Sequence, residues 1–563
     1  MIALHGRVTR TIFLLACGLC AVGSMPAEAQ TVNPTSENDG KCTTEGRPIV
    51  DALNGPQWNG WGVNSSQRRF QTAIMAQLAA TDVPRLRLKW AFGYPNAVRA
   101  FAQPTIVAGR LFVGSQSGTV YSLDANNGCT YWEFDAGKPV RSTIIIGPRT
   151  GGWSAYFGDL GANVYAVDVL TGKQLWKTRI DDHPAARVTG SPVLVGPTLF
   201  VPVSSSEEAV GANPTYSCCS FRGSLVALDA STGKLQWKSH TIREEPRSTG
   251  TSPAGVELRG PSGAAIWSSP TYDSLTRRVY VTTGDNYSDP PTDTSDAILA
   301  YDAGIGELVW SRQITAGDAY NLACVRGNPA NCPEANGPDY DFGSSALLVD
   351  LQGGKRALIG TQKSGVVTAV DPDRRGEILW QQRVGNGGKL GGVQWGAAAD
   401  ESKLYVAVSD VKPVRVDPST PGAQLSLGNS EIAFLLDNRV GGGLHALNLE
   451  TGDKIWQTAH PGCNDVPGCS PAQSAAVTAI PGIVFSGGLD GHLRAYSAED
   501  GRIVWDVDTK IEYSTVNGIP AHGGSIDGPG PVVVGGTVYV NSGYRFFGTQ
   551  PGNALLAYSV EGR

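Results

Sequence analysis

A few loop residues in this chain have types and spacings that could do chemistry. Glu207 and Glu208 directly follow the apolar run ending Val203-Ser204. Asp285-Asn286 closes another such run, VYVTTG. Pro338-Asp339-Tyr340-Asp341-Phe342-Gly343 places two acids two residues apart, and Lys363 stands in the turn Thr361-Gln362-Lys363-Ser364-Gly365. Trp267, in Ile266-Trp267-Ser268-Ser269-Pro270, lies outside any repeated tryptophan slot, and Cys218-Cys219 are adjacent. Carboxylate and carboxamide oxygens suit a hard cation such as calcium. The chain has no histidine cluster to argue for zinc. A carboxylate can take a proton, and an ammonium can offset developing negative charge. Taken singly, Lys363 reads equally well as a solvated turn residue, and Asp339 with Asp341 as a turn acid pair.

What must position them is a repeat. VYSLDANNGCTYW ends at Trp132, and comparable phrases end at Trp176, Trp237, Trp310, Trp380, Trp456 and Trp505. Each is an alternating strand, a turn with Asp or Asn and Gly, and a second strand ending in tryptophan, which is a hairpin pattern. Further alternating runs between copies, such as 104–115, 192–204 and 531–542, give each unit four short antiparallel strands. Such a sheet cannot bury both faces alone, so radial stacking follows. The 71 glycines fit many tight turns. ALLAYSV (554–560) is a first half-phrase without its tryptophan, and LRLKW (86–90) is a second half without its first. Joined, they complete the count. The expected fold is all-β: an eight-bladed β-propeller with tryptophan-docking repeats, closed by N- and C-terminal strands sharing a blade. The repeated tryptophans are packing residues. The chemistry is expected in loops after the third strand of a unit or at unit starts, which converge on one mouth.

Arg7 and Arg10 before the apolar run Ile12–Val22, with Ala27-Glu28-Ala29 ahead of Gln30, read as a signal peptide over 1–29. Lipid attachment at Cys17 is a minor alternative. No later run reaches spanning length, so no membrane span is expected, and the mature chain is expected in the periplasm. Residues 30–85 are expected to pack as an extension on a propeller of 86–563. Eight cysteines remain after the signal, in an oxidising compartment. Proximity suggests Cys324–Cys332 and Cys463–Cys469, adjacency suggests Cys218–Cys219, and Cys42–Cys129 is left over. A net charge of −6 argues against nucleic acid as a partner. No Cys-x-x-Cys-His occurs, so no covalent c-type haem site is expected.

On the stretches Trp58-Asn59-Gly60-Trp61-Gly62, Phe70-Gln71, Lys89-Trp90-Ala91-Phe92-Gly93 and CCSFRGSLVALDASTG, the chain resembles the pyrroloquinoline-quinone (PQQ)-dependent alcohol dehydrogenases, and within them the polyvinyl alcohol dehydrogenase branch. The resemblance implies oxidation of a small or polymeric, secondary alcohol by PQQ and calcium. It makes Asp341 the general base and a metal contact, and Lys363 the residue holding the quinone carbonyl. Glu207 falls on the calcium carboxylate, with Glu208 its rival by one position. Asp285 stands where the family commonly has a calcium-binding asparagine, so either Asp285 or Asn286 takes that role. Trp267 becomes the floor under the quinone. Thr189, Ser204, Arg141, Gln394 and Trp395 become further cofactor contacts. Cys218–Cys219 becomes a lid on the cofactor or, equally, a rigid ring beside the channel. Gly343 lacks the second acid of the lanthanide-using branch, which favours calcium. Without a haem motif, electrons are expected to pass to a separate cytochrome c or other acceptor. The alternatives are a non-catalytic propeller scaffold for other proteins and a sugar- or aldehyde-oxidising quinoprotein. Residues 317–338 and 522–528 are expected to shape substrate access.

Overall fold

The structure is a computed structural model. It describes residues 40–43, 49, 51–325, 329–420, 423–426, 429–464, 466, 468–546 and 548–563; the expected signal peptide and Cys17 lie outside these. Eight antiparallel sheets stand around an axis as the blades of a propeller. The first blade shows the pattern: Thr105–Val107, Arg110–Val113, Thr119–Asp124 and Thr130–Asp135, each pairing with the next. The eighth blade is built from both parts of the chain. Val532–Val534, Thr537–Ser542 and Ala554–Val560 are completed by Leu86–Gly93, with Leu86 opposite Val560 and Gly93 opposite Ala554.

The repeated tryptophans dock each blade onto its successor. Indole Nε1 of Trp132 donates to Val169 O (2.9 Å), that of Trp176 to Ala230 O (3.0 Å) and that of Trp380 to Leu449 O (3.1 Å). Most of these rings lie on a turn glycine of the next blade, while Trp505 meets Tyr558 edge-on. Gly172, at φ +70°, has no Cβ; one added there would sit 2.8 Å from the Trp132 ring. Gly233 faces Trp176, and Gly376, Gly452 and Gly501 face Trp310, Trp380 and Trp456 in the same way. This glycine therefore meets two demands at once, a left-handed backbone and a flat indole against it. Between the blades lie closed apolar layers, such as Val120, Ile146, Phe157 and Val167 around Trp132.

Residues 58–71 run along the first-strand side of the ring like a hub. Trp58 exchanges backbone hydrogen bonds with Ile106 of the first blade, and Asn59 Oδ1 takes the Ile146 N–H of the second (2.8 Å). Ser65, Ser66, Arg68 and Arg69 carbonyls accept from Tyr272, Leu348, Ala399 and Ala479 of blades four to seven. Gln71 Nε2 donates to Val533 O of the eighth (3.2 Å). Arg69 is buried between Trp58 and Trp61, with its guanidinium 5.4 and 4.8 Å from their rings. It donates to Val477 O, Trp61 O and Gln103 Oε1. The four disulfides are Cys42–Cys129, Cys218–Cys219, Cys324–Cys332 and Cys463–Cys469. No helix among the described residues is long and apolar enough to cross a membrane.

One placement differs from expectation. Thr198–Ser205 and Arg278–Thr282, which lead into Glu207 and Asp285, are the second strands of the third and fourth blades, not the third. The consequence for the site is the same. In a four-stranded antiparallel blade, the loop from second to third strand and the crossover leaving the fourth strand fall at one end.

Candidate active site

Four such connections meet at that end: 206–223 of the third blade, 283–296 of the fourth, the crossover 314–346, and the turn 362–365 of the fifth. At their centre Lys363 Nζ donates to Asp339 Oδ1 and Asp341 Oδ2, both at 2.7 Å. The other oxygen of Asp341 accepts the backbone N–H of Asp285 at 2.7 Å. Asp285, Asp339 and Asp341 each offer a carboxylate oxygen within 4.8 Å of the others, and all three are buried. Among the described residues, Asp285 Oδ2 has no hydrogen-bond partner, and neither does either oxygen of the buried Asp296. Asp318 accepts from the N–H groups of Asp339 (3.2 Å) and Tyr340 (2.8 Å), which fixes the Asp-Tyr-Asp turn.

The charges are strongly coupled. Burial pushes Asp285, Asp296 and Asp339 well above the usual carboxylate range, and neighbouring acids push further. Burial alone would strip the Lys363 charge, yet Asp339 and Asp341 hold it well above an ordinary amine. So many carboxylates around one buried ammonium leave an excess of hard, partly unpaired oxygen donors, the chemistry a divalent hard cation satisfies.

The rival positions separate cleanly. The Glu207 carboxylate is buried and already bonded: Tyr216 Oη (2.7 Å) and Ser220 N (2.9 Å) donate to Oε1, Phe221 N (2.8 Å) to Oε2, and His183 Nε2 lies 3.4 Å away. Burial pushes its pKa up, but the bonds from His183, Ser220, Tyr216 and Phe221 outweigh this and hold it below the usual value. Glu207 therefore anchors the loop that carries the adjacent cysteines. Glu208, half-buried and next in a one-turn helix Glu207–Val210, faces the acid cluster instead. Burial pushes it up to about 7, with Lys363 opposing and Asp341 adding to the rise. Asn286 is likewise spent on its own loop: Nδ2 donates to Ser262 O (2.9 Å) and Oδ1 accepts from Thr292 N (2.7 Å). Glu207 and Asn286 thus accept bonds from their own loops, while Asp285, Asp339 and Asp341 gather their oxygens together.

Trp267 stands beside this cluster, with Lys363 Nζ 5.5 Å from its ring centroid. Trp395 meets it edge-on at 5.3 Å, held by a 2.5 Å bond from its Nε1 to Asp527 Oδ1, while Arg141 lies over Trp395 at 4.5 Å. Arg141, Thr189, Trp267 and Trp395 share one chamber in the channel. Thr189 Oγ1 and Ser204 Oγ are 2.6 Å apart, and buried Gln394 Oε1 has no partner. Two glycines make room. A Cβ on Gly284 would lie 2.5 Å from Asp341 Oδ1, and one on Gly343 would lie 2.2 Å from Trp267 Cη2. Cys218 and Cys219 are buried in the apolar cluster against which Trp267 packs, with Asn321 Nδ2 3.9 Å from Cys218 Sγ. Glu208, Asp339, Asp296, Asp318 and Asp527 complete the surroundings.

A tryptophan-docked eight-bladed ring, with carboxylates gathered around one lysine at its mouth, is the architecture of a quinoprotein-type oxidoreductase. Residues 61–259 and 440–562 match the family model described as outer membrane protein assembly factor BamB. A polyvinylalcohol dehydrogenase of Pseudomonas sp. is 42% identical over 535 residues, covering 92% of this chain and 79% of that protein. One from Sphingopyxis sp. is 39% identical over 544 residues, covering 93% and 79%. The crystal structure of quinohemoprotein alcohol dehydrogenase from Comamonas testosteroni superposes with a TM-score of 0.65 at 18% identity, over 91% of this chain and 82% of that one. The europium-containing methanol dehydrogenase also gives 0.65, at 17% identity, over 90% and 98%. These two structures bear on the fold. The chain belongs to the polyvinylalcohol dehydrogenase family and is an alcohol-oxidising oxidoreductase. The reading as a non-catalytic scaffold gives way to that relationship.

Proposed function

We propose that the protein oxidises secondary alcohols, polyvinyl alcohol among them, in the periplasm, using PQQ and calcium and passing electrons to a separate acceptor such as a cytochrome c. The observation that carries this reading is the buried set Asp285, Asp339 and Asp341, the latter two locked onto Lys363, beside Trp267. The donor set suits calcium: hard oxygens, an unpartnered Asp285 Oδ2 and no thiolate or imidazole among them. Asp285, Asp341 and Glu208 are the ligands we assign, since Asp285 and Asp341 gather their oxygens with Asp339 and Glu208 makes no competing side-chain bond among the described residues, whereas Glu207 and Asn286 bind their own loops. Trp267 supplies a flat apolar face for a planar cofactor, with Arg141, Thr189, Ser204, Gln394 and Trp395 around the same chamber.

When bound, the quinone supplies the hydride acceptor that no side chain offers, and calcium polarises its carbonyl. The residues do the rest. Asp341 accepts the hydroxyl proton of the alcohol. Its orientation is fixed at both oxygens, by Lys363 Nζ and by the Asp285 N–H. Lys363 offsets negative charge on an oxygen beside it and, being held by two aspartates, needs little reorganisation to do so. Gly284 and Gly343 keep the reacting space open.

Reconstitution with calcium and PQQ, followed by dye-linked oxidation of secondary alcohols and polyvinyl alcohol, tests the reading. Turnover with cofactor retention is expected, and Asp341→Asn should keep the cofactor yet lose at least about 100-fold in kcat. Silence across the panel without cofactor binding overturns the reading, and an active Asp341→Asn overturns the base.

A further inference from the structure

A second lysine lies against the crossover that carries the acid cluster, on a loop that the catalytic reading does not use. Lys389 lies in Asn386-Gly387-Gly388-Lys389-Leu390-Gly391-Gly392, within the crossover from the fifth to the sixth blade. Its ammonium sits 3.3 Å from the ring centroid of Tyr320, a buried residue of the crossover that also carries Asp318, Asp339 and Asp341. Burial lowers its pKa, and the charges of Asp339, Asp285, Asp318 and Glu208 oppose that fall.

The loop is registered to Lys363. Gly388 N donates to Lys363 O (3.1 Å). A Cβ on Gly392 would lie 2.1 Å from that same carbonyl, and one on Gly387 would lie 2.4 Å from Ser364 O. On the other side the Asp410 carboxylate accepts the N–H groups of Asn386 (2.8 Å), Gly387 (3.2 Å) and Gly392 (3.1 Å). Both feet of the loop are therefore fixed, and the only cation at its tip is Lys389. The half-buried ammonium is partly out of water and held by an aromatic face.

We propose that Lys389 is a tethered counter-cation of the metal site, which neutralises the acid cluster when it holds no metal and must be opposed by calcium on loading. This rests on the reading of the cluster as a calcium site. A lysine charge near the carboxylates attracts them and repels a divalent ion entering among them, so its removal strengthens metal binding through space. Lys389 is thus a positioning residue for the metal, setting the calcium concentration at which the enzyme becomes loaded.

Calcium affinity of the cofactor-free protein, measured by competition with a chelating dye, reads this directly. Lys389→Met should bind calcium at least about tenfold more tightly than wild type at low ionic strength, and Lys389→Arg should stay within about threefold of it. The gap should narrow as salt rises, since screening shortens the reach of a partly exposed charge. Equal affinity in Lys389→Met and wild type, with both folded by circular dichroism, overturns the role of Lys389. No calcium binding by any of the three overturns instead the reading of the acid cluster.

Discussion

Glu207 and Glu208 are adjacent in sequence and opposite in role, and glutamine at each position separates the roles. Glu207 receives three bonds of 2.7–2.9 Å on a fully buried carboxylate. In Glu207→Gln the amide oxygen can serve Tyr216 and Ser220, but the NH2 then points at the Phe221 N–H. One bond to a charged group is lost, two are weakened and a donor is left facing a donor. At about 1.5–3 kcal/mol for a bond to a charged group, the total loss is about 3–5 kcal/mol. Tyr216→Phe removes a single bond and should cost about 1–2 kcal/mol. Glu208 makes no side-chain hydrogen bond among the described residues, and burial raises its pKa to about 7, so its ionised form is a cost to the fold. Glu208→Gln should therefore be as stable as wild type or slightly more so in chelator, while losing at least about tenfold in calcium affinity. Denaturant titration in chelator and dye competition for calcium read the two effects separately. If Glu207→Gln unfolds like wild type and loses calcium while Glu208→Gln keeps it, the assignment is reversed and the reasoning fails. The sign with pH is also set. The Glu207 pKa is depressed in the fold, so its contribution is complete above the unfolded carboxyl value and is lost as pH falls through the folded one.

Three other outcomes follow from the same geometry. His445, buried with Nδ1 unpartnered, is lowered to about 4, first by burial and then by Lys454. Its unfolded form takes a proton that the folded form refuses, so between pH 6.5 and pH 4 wild type should lose about 3 kcal/mol relative to His445→Gln in denaturant titrations. Gly343→Ala places a Cβ 2.2 Å from Trp267 and 2.4 Å from Gln394 O. It should cost about 1–3 kcal/mol and weaken cofactor binding with a changed near-ultraviolet dichroism, whereas unchanged spectra and binding would refute the packing of ring on glycine. Gly172→Ala meets both a left-handed φ and the Trp132 ring, and should lower the melting temperature while leaving the mouth chemistry intact in the folded protein.

The ring was legible because its signals repeat. A hairpin turn supplies a glycine for the preceding tryptophan, so the spacing of Asp/Asn-x-x-x-Gly and Trp reports one blade after another, and the shared eighth blade follows from the two half-phrases. The site was legible only in part. Asp341, Lys363, Trp267 and Asp285 lie together at one end of the ring. The choice between Glu207 and Glu208 was not readable, because a single helical turn sends adjacent side chains to different surroundings and a one-residue slip carries no pattern of its own. Asn286 looked free because its partners, Ser262 and Thr292, are supplied by loop curvature rather than by any repeat. Asp339 had a usable signal, its position two residues before Asp341 in the same turn. Asp296, Asp318 and Asp527 sit in non-repeating loops and had none.

The strand Leu86–Gly93 is made early and finds its partner, Ala554–Val560, only after the rest of the ring has been produced. Until then the first blade lacks the neighbour whose Trp90 rests on its Gly128. Sealing the circle is thus a long-range event that waits for the far end of the polypeptide. A translation product truncated anywhere before 554 would leave Leu86–Gly93 without its partner strand and the ring open at that edge.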